Sequence, residues 1–254
     1  MRLFSWRFIR MWQRNRDVFF RLWHAEAPSA IIEPLLILVA MGLGLGAYVG
    51  LIDGQSYIEF VAPGIIASYA MFAAVSECTY GTFFRMEERK TFDAIIATPL
   101  NVEDVVVGEI VWGATRSVMT GTIILAIEAA FQLVHSPWVL LIPFVCFLQG
   151  IMFSAIAMFF ASVVPSFYSF NHFFTLFVTP MFFFSGVFFP LSRFPEIIQT
   201  LSWIAPLTPA VILTRAIFQG EFHINLLGAL GLIVAISLVF FAISLVTMRR
   251  RLTV

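Results

Sequence analysis

Six apolar runs of membrane length follow one another along this chain and leave few folds open to it. Backbone in hydrocarbon must satisfy its own hydrogen bonds, and a helix needs about twenty apolar residues to cross. The runs fall near 30–51, 61–84, 102–134, 139–164, 170–189 and 224–248. Of 254 residues, 60% are hydrophobic and 12% charged. A soluble domain is about a quarter charged. The expected fold class is an all-α polytopic membrane protein with six transmembrane helices.

The net charge of zero hides a segregation. Arg2, Arg7, Arg10, Arg14, Arg16 and Arg21 crowd the start, Arg249, Arg250 and Arg251 close the chain, and Arg85, Arg89 and Lys90 lie between the second and third runs. The positive-inside rule puts all three groups in the cytoplasm, with an even number of spans and both termini inside. The N-terminus lacks the uninterrupted apolar core of a cleavable signal. Cys78 and Cys146 sit in apolar stretches and read as small buried hydrophobes. Neither a disulfide framework nor a zinc spacing is present.

Residues 3–24 are amphipathic at helical period. Arg7, Arg10, Arg14 and Arg21 share one face, while Phe4, Phe8, Met11, Val18, Phe19 and Leu22 share the other. Such a helix lies on the inner leaflet or packs on another subunit. The first span is expected after breaks at Pro28 and Pro34, which divides the chain into an interfacial helix (1–27) and a transmembrane domain (28–254). Gly42, Gly46 and Gly50 form a stripe suited to close helix packing. Between the fifth and sixth runs, Pro190, Pro195, Pro206 and Pro209 cut the chain into two apolar pieces too short to cross. Near 194–204 and 210–219, they are expected to form a re-entrant helical hairpin entering from outside.

Residues 85–104 form a charged island. Phe92, Ile95 and Ile96 fall at i, i+3, i+4, with Glu87, Glu88, Arg89, Lys90, Thr91 and Asp93 around them. A short amphipathic helix held at the membrane surface by two spans is suited to a partner, with Phe92 and Ile95 as an apolar plug. Lys90 is the only lysine, and it follows Arg89 rather than glycine, so no phosphate-binding P-loop exists here. The four histidines are scattered and imply no metal site.

Ionisable groups inside a membrane are functional candidates by default. Glu77 falls in the second run, and Glu109 and Arg116 share a face of the third. A Glu77–Arg116 or Glu109–Arg116 pair would lock the two helices; a substrate or gating contact, or a proton relay extended by Glu128, are the other readings. In the fifth run, Asn171, His172, Thr175, Thr179 and the Pro180 break give a phenylalanine-rich helix a polar side. Together with Phe183, that side is either a pathway wall for an amphiphile or plain packing.

Several short motifs, in this order and spacing, resemble the ABC-2 type transporter permeases, and among them the NodJ-like lipooligosaccharide exporters. They are Thr91-Phe-Asp-Ala94 with Thr98-Pro99, then Gly108-Glu109, then Ser185-Gly-Val-Phe-Phe-Pro-Leu191 with Pro195, Pro206-Leu-Thr208, Arg215 and Gly220. Many ABC-2 proteins carry glycine where Lys90 stands before the threonine. The resemblance implies a permease of the bacterial inner membrane that pairs with a second copy through spans one and five. It implies a separate ATP-binding subunit that holds ATP and magnesium, so no cofactor in this chain and no enzymatic site. The island would then be a coupling helix, and the outer hairpin a cap on the pathway. The expected cargo is a lipid-linked saccharide or other amphiphile, the alternatives being a hydrophobic drug or, in another class, an ion-coupled secondary transporter or a membrane scaffold. Membrane lipids are expected partners; nucleic acid is not.

Overall fold

The structure, a computed structural model, describes residues 6–252 except positions 53, 97 and 99. The described chain is helical, apart from one isolated bridge between Ile52 and Gln55. Helix α1 (Phe8–Val39) runs into a π turn (Ala40–Gly44) and a 3-10 turn (Leu45–Ala47). Next come α2 (Tyr57–Glu88), the short α3 (Thr91–Ile96) and α4 (Val102–Ala130). A 3-10 turn (Pro137–Leu141) leads into α5 (Ile142–Val163). Residues 169–184 form α6, whose middle is a π turn (Phe174–Val178). Then come α7 (Glu196–Ser202), α8 (Leu207–Gln219) and α9 (Asn225–Leu252).

Among the described residues, four helical segments are long and apolar enough to cross a membrane: α2, α4, Pro137–Val163 and α9. The expected first and fifth spans are helical but shorter, over Ile31–Ala47 and residues 169–184. The α7–α8 pair is bent by 89°, in the proline-cut region where two short pieces were expected.

Two boundaries differ from the sequence reading. Pro28 and Pro34 do not break the chain: both lie within α1, and Pro34 is buried. The expected boundary at 27/28 therefore falls inside one helix. A proline removes only one N–H, and neighbouring packing can keep the helical turn; the helix changes geometry later, at the π turn over Ala40–Gly44. Helix α2 begins four residues earlier than expected because Ser56 and Glu59 cap it. The Ser56 amide and hydroxyl both donate to Glu59 Oε2, at 2.8 and 2.6 Å. At the start of α4 the expected Asn101 cap is present, its amide donating to Asp104 Oδ2 at 3.3 Å.

Helix α2 is central and α9 peripheral. Of their most apolar windows, 78% of α2 is buried in the chain but only 17% of α9. Leu227, Leu238, Val239 and Val246 leave α9 an apolar outer face. Helices α4 and α5 meet through small residues. A Cβ on Gly121 would stand 2.4 Å from Cys146 Sγ, and one on Gly150 would stand 2.8 Å from the Ala114 backbone. The Gly42–Gly46–Gly50 stripe is only partly a contact: a Cβ on Gly42 would meet Ile58 at 2.5 Å, whereas Gly50 faces open space.

These contacts set opposite expectations for two glycines. Gly150→Leu should destabilise the fold by about 1–3 kcal/mol through overpacking against backbone. Gly228→Ala, in α9 with nothing within 4 Å, should be neutral or stabilise by up to ~1 kcal/mol. Thermal unfolding midpoints in detergent compare the two.

Candidate functional site

The charged groups of α2 and α4 converge near the C-terminal end of α2. Glu77 opens a π turn (Glu77–Gly81), and a second π turn (Phe84–Glu88) follows within one helical turn. Such bulges re-aim side chains. Arg85 folds back along α2, and its Nη1 donates to Glu77 Oε1 at 2.9 Å. Its Nη2 donates to Glu109 Oε2 on α4. Gly81 lies between the pair on the same face; a Cβ there would stand 3.0 Å from Glu77 Oε1 and 3.3 Å from both Arg85 terminal nitrogens.

Glu109 is fully buried and is satisfied by three side chains from two helices. Besides Arg85, it accepts from Thr82 Oγ1 on α2 at 2.8 Å and from Asn15 Nδ2 on α1 at 2.8 Å. Arg116 Nε lies 3.6 Å from Glu77 Oε2, and its guanidinium sits 4.2 Å from the Phe19 ring centroid. The expected Glu77–Arg116 pair is therefore present. A Glu109–Arg116 pair is not among the described ion pairs; Arg85 takes that place. By sequence alone Arg85 counts only among the basic residues that mark topology. The overlooked signal is the Glu77, Gly81, Arg85 spacing, which aligns the three on one face.

Helix α1 docks on this network. Gly108, adjacent to Glu109, admits it: a Cβ there would collide with Met11 at 2.6 Å. Trp12 Nε1 donates to Thr115 Oγ1 at 2.9 Å, and Phe19 packs on Trp112. Met11 and Asn15 are buried, whereas Val18 and Leu22, assigned to the same apolar face, are exposed. Phe4 lies outside the described residues.

The island divides differently from expectation. Phe92 is wholly buried in a cluster of this chain's own Met11, Phe83, Met86 and Val105, and Ile95 packs against it. Neither is a free plug for a partner; they anchor α3 to the bundle. Glu88, Arg89 and Lys90 are exposed, Thr91 is half-buried, and the side chains of Asp93 and Ile96, like Pro99, lie outside the described residues. Glu87 accepts from Arg251 Nη2 at 2.8 Å and pairs with Lys90 at 3.3 Å. Arg251 also donates to the Ala161 and Val164 carbonyls, at 2.8 and 2.7 Å. It thus ties the end of α9 to the last turns of α2 and α5. Lys90 has φ 48°, a left-handed conformation that favours glycine.

At the opposite end, Arg215 of α8 forms a second knot. Its Nη2 donates to the Gly186 carbonyl at 2.9 Å and the Phe60 carbonyl at 3.2 Å, and its guanidinium stacks 3.9 Å from the Phe60 centroid. Tyr57 hydroxyl donates to the Phe188 carbonyl at 3.1 Å. Gly186 has φ 80°, and Val187 packs on Gly64, where a Cβ would stand 3.1 Å from its backbone. Thr208 Oγ1 donates to the Ser202 carbonyl across the α7–α8 bend. Gly220 ends α8 at φ 70°. Ser185-to-Leu191, Thr208, Arg215 and Gly220 are thus one structural unit.

Asn171, His172, Thr175, Thr179 and Phe183 are all exposed on α6, whose other side packs Phe173, Val178, Met181 and Phe182 inward. Tyr80 of α2 reaches Asn171 Oδ1 at 3.4 Å. Among the described residues, no cluster of histidine, cysteine or acidic side chains could hold a metal. Glu128 is buried, and neither of its oxygens has a hydrogen-bond partner among the described residues.

A family model described as "ABC-2 type transporter" matches residues 7–219, a stretch that contains both knots and the island. The chain belongs to that family. It is 34% identical over 251 residues to "Nodulation protein J" of Rhizobium meliloti (strain 1021), covering 98% of this chain and 95% of that protein. To the protein of that name in Sinorhizobium fredii (strain NBRC 101917 / NGR234) it is 36% identical over 214 residues, 83% and 80% of the two chains. It is also 24% identical over 235 residues, 92% and 91% of the two chains, to "Inner membrane transport permease YadH" of Escherichia coli (strain K12). With its apolar helices, membership makes this ABC-2 permease a multi-pass membrane protein.

Two substitutions probe the site. Glu109→Ala strands Arg85 beside one carboxylate and should destabilise the fold by about 3 kcal/mol. An Arg85→Met/Glu109→Leu pair should lose less than the sum of its single changes, read from unfolding midpoints of the four proteins. Lys90→Gly should be tolerated and should relieve up to about 1 kcal/mol of left-handed strain, whereas Lys90→Val should lower the midpoint.

Proposed function

We propose that this chain is the membrane-spanning subunit of an ATP-driven exporter of the bacterial inner membrane, with six spans, both termini cytoplasmic and a separate ATPase on the cytoplasmic side. The observation that carries the reading is the division of the island. Its apolar side is spent on this chain, so Glu88, Arg89 and Lys90 are left to meet a partner while α3 is rigidly tied to α2 and α4. A force on those charges passes directly into the ends of α2, α4 and α9, through Glu87–Arg251 and the Phe92 cluster. Coupling by a rigid, anchored segment suits a machine in which a partner's motion changes the tilt of helices. The ATP and magnesium belong to that partner, and this chain needs no catalytic group of its own.

The polar exposed face of α6 suits a pathway wall shared with a second copy, because asparagine, histidine and two threonines gain nothing from lipid contact. Pathway lining by that face, flanked by aromatic rings, favours an amphiphile with a polar head. A lipid-linked saccharide is the first choice, following the Nodulation protein J relatives, and a hydrophobic drug the second. The interfacial placing of the first half of α1 and the capping of the pathway by the α7–α8 pair belong to the same reading. An ion-coupled mechanism is disfavoured because Glu77 and Glu109 are consumed by arginines and Glu128 stands apart from them.

Glu88→Lys/Lys90→Glu should abolish co-purification of the partner ATPase and reduce export at least tenfold, with insertion unchanged. Normal co-purification and export in that variant would overturn the coupling assignment. Stimulation of the reconstituted ATPase by a panel of glycolipids, lipids and drugs separates the cargo readings.

A further inference from the structure

The knot around Arg85 leaves a cavity beside it that shares only Arg89 with the coupling surface. It holds about 220 Å³ between α1 and the inner end of α2, with Arg14, Arg85, Arg89 and Glu77 on its polar side. The wall therefore carries three guanidiniums and one carboxylate, a formal +2 before solvent. Adding the neighbouring Arg116 and Glu109 changes both signs equally and leaves the excess at +2.

Two of those arginines differ from the third in their partners. Arg85 is held by Glu77 and Glu109. Arg14 donates to Asn15 Oδ1 at 3.2 Å, and Arg89 stacks 5.2 Å from the Phe84 centroid. Among the described residues, neither is paired with a carboxylate. Burial lowers the Arg14 guanidinium, with Arg85 and Arg89 acting in the same direction and Glu109 against them. A half-buried cation beside two others without its own counter-ion marks a place where an anion is favoured.

The rest of the wall states what kind of anion. Val18, Leu22 and Phe84 line the same cavity and are exposed at 42%, 53% and 42%. An inorganic anion has no use for that apolar margin. An amphiphile does, because its charged head reaches the guanidiniums while its chains run along the apolar margin into the bilayer.

We propose that the cavity between α1 and α2 is a seat for the phosphate headgroup of an anionic membrane phospholipid, bound by Arg14 and Arg89 with Arg85 at its floor. The seat rests on the inner-leaflet placement of α1 proposed above, but not on the identity of the cargo or of the ATPase. A lipid there bridges α1 to the island end of α2. Its occupancy would stiffen the junction through which the island acts.

The test uses the full-length permease in detergent micelles, with lipid retention read by native mass spectrometry. The probes are phosphatidylglycerol, phosphatidylcholine, diacylglycerol and inorganic phosphate. Wild type should retain one phosphatidylglycerol about tenfold in preference to phosphatidylcholine, with no diacylglycerol retained and no displacement by millimolar phosphate. Arg14→Gln and, independently, the exposed Arg89→Gln should each cut that preference at least threefold. Arg21→Gln removes the same charge from α1 outside the cavity and should leave the preference intact. Equal loss in Arg21→Gln would reveal a diffuse basic surface and overturn the seat. So would full preference in Arg89→Gln, or displacement by phosphate alone. Arg89 is exposed, so its variant keeps the test decisive even if Arg14→Gln misfolds. Loss of ATPase co-purification in Glu88→Lys/Lys90→Glu reports on the coupling reading and leaves this preference unchanged, so the two can fail separately.

Discussion

Arg85 stands between Glu77 and Glu109, and one half of the molecule is arranged around that placement. A carboxylate as buried as Glu109 is tolerated only when charge and hydrogen bonds surround it. Here they come from α2 through Arg85 and Thr82, and from α1 through Asn15. The consequences are steric as well as electrostatic. Gly81 must be small so that Arg85 can fold back, and Gly108 must be small so that Met11 can bring Asn15 within reach. A polar network in an apolar setting has few alternative arrangements, so it fixes how α1, α2 and α4 meet more sharply than apolar packing alone.

The opposite end obeys a different constraint. Residues 185–190 leave the helical path, and irregular backbone at such a position must find donors within the protein. Arg215 and Tyr57 supply them, from α8 and α2, to the carbonyls of Gly186 and Phe188. One arginine thus holds backbone carbonyls at each pole of the bundle: Arg215 binds the Gly186 turn, and Arg251 binds the last carbonyls of α5. Planar, permanently charged guanidinium suits both tasks because one group reaches several acceptors at once.

The island lies at the pole that Arg251 closes. Its apolar residues face inward and its charges outward, with Lys90 turning the chain between α2 and α3. The lipid seat proposed beside Arg85 lies at the root of the same island.

Sequence by itself determined the helical class, because runs of this length and polarity leave the backbone no other way to bond in hydrocarbon. It also determined the Asn101 start of α4, the region of the α7–α8 bend and the polar side of α6, and it offered Glu77–Arg116 as one of two pairs. All of these follow from local spacing. Only the tertiary structure decided which surface each amphipathic residue meets. Phe92 and Ile95 show the same helical pattern whether they face a partner or their own bundle, and they face the bundle because Phe83, Met86 and Val105 are there to receive them. Arg85 counted only as a basic topology marker because composition cannot see Gly81 opening a path back to Glu77. Pro28 and Pro34 looked like breaks because proline's effect depends on what packs against the turn it weakens. The charged core of this permease is a property of three helices together, and no one of their sequences contains it.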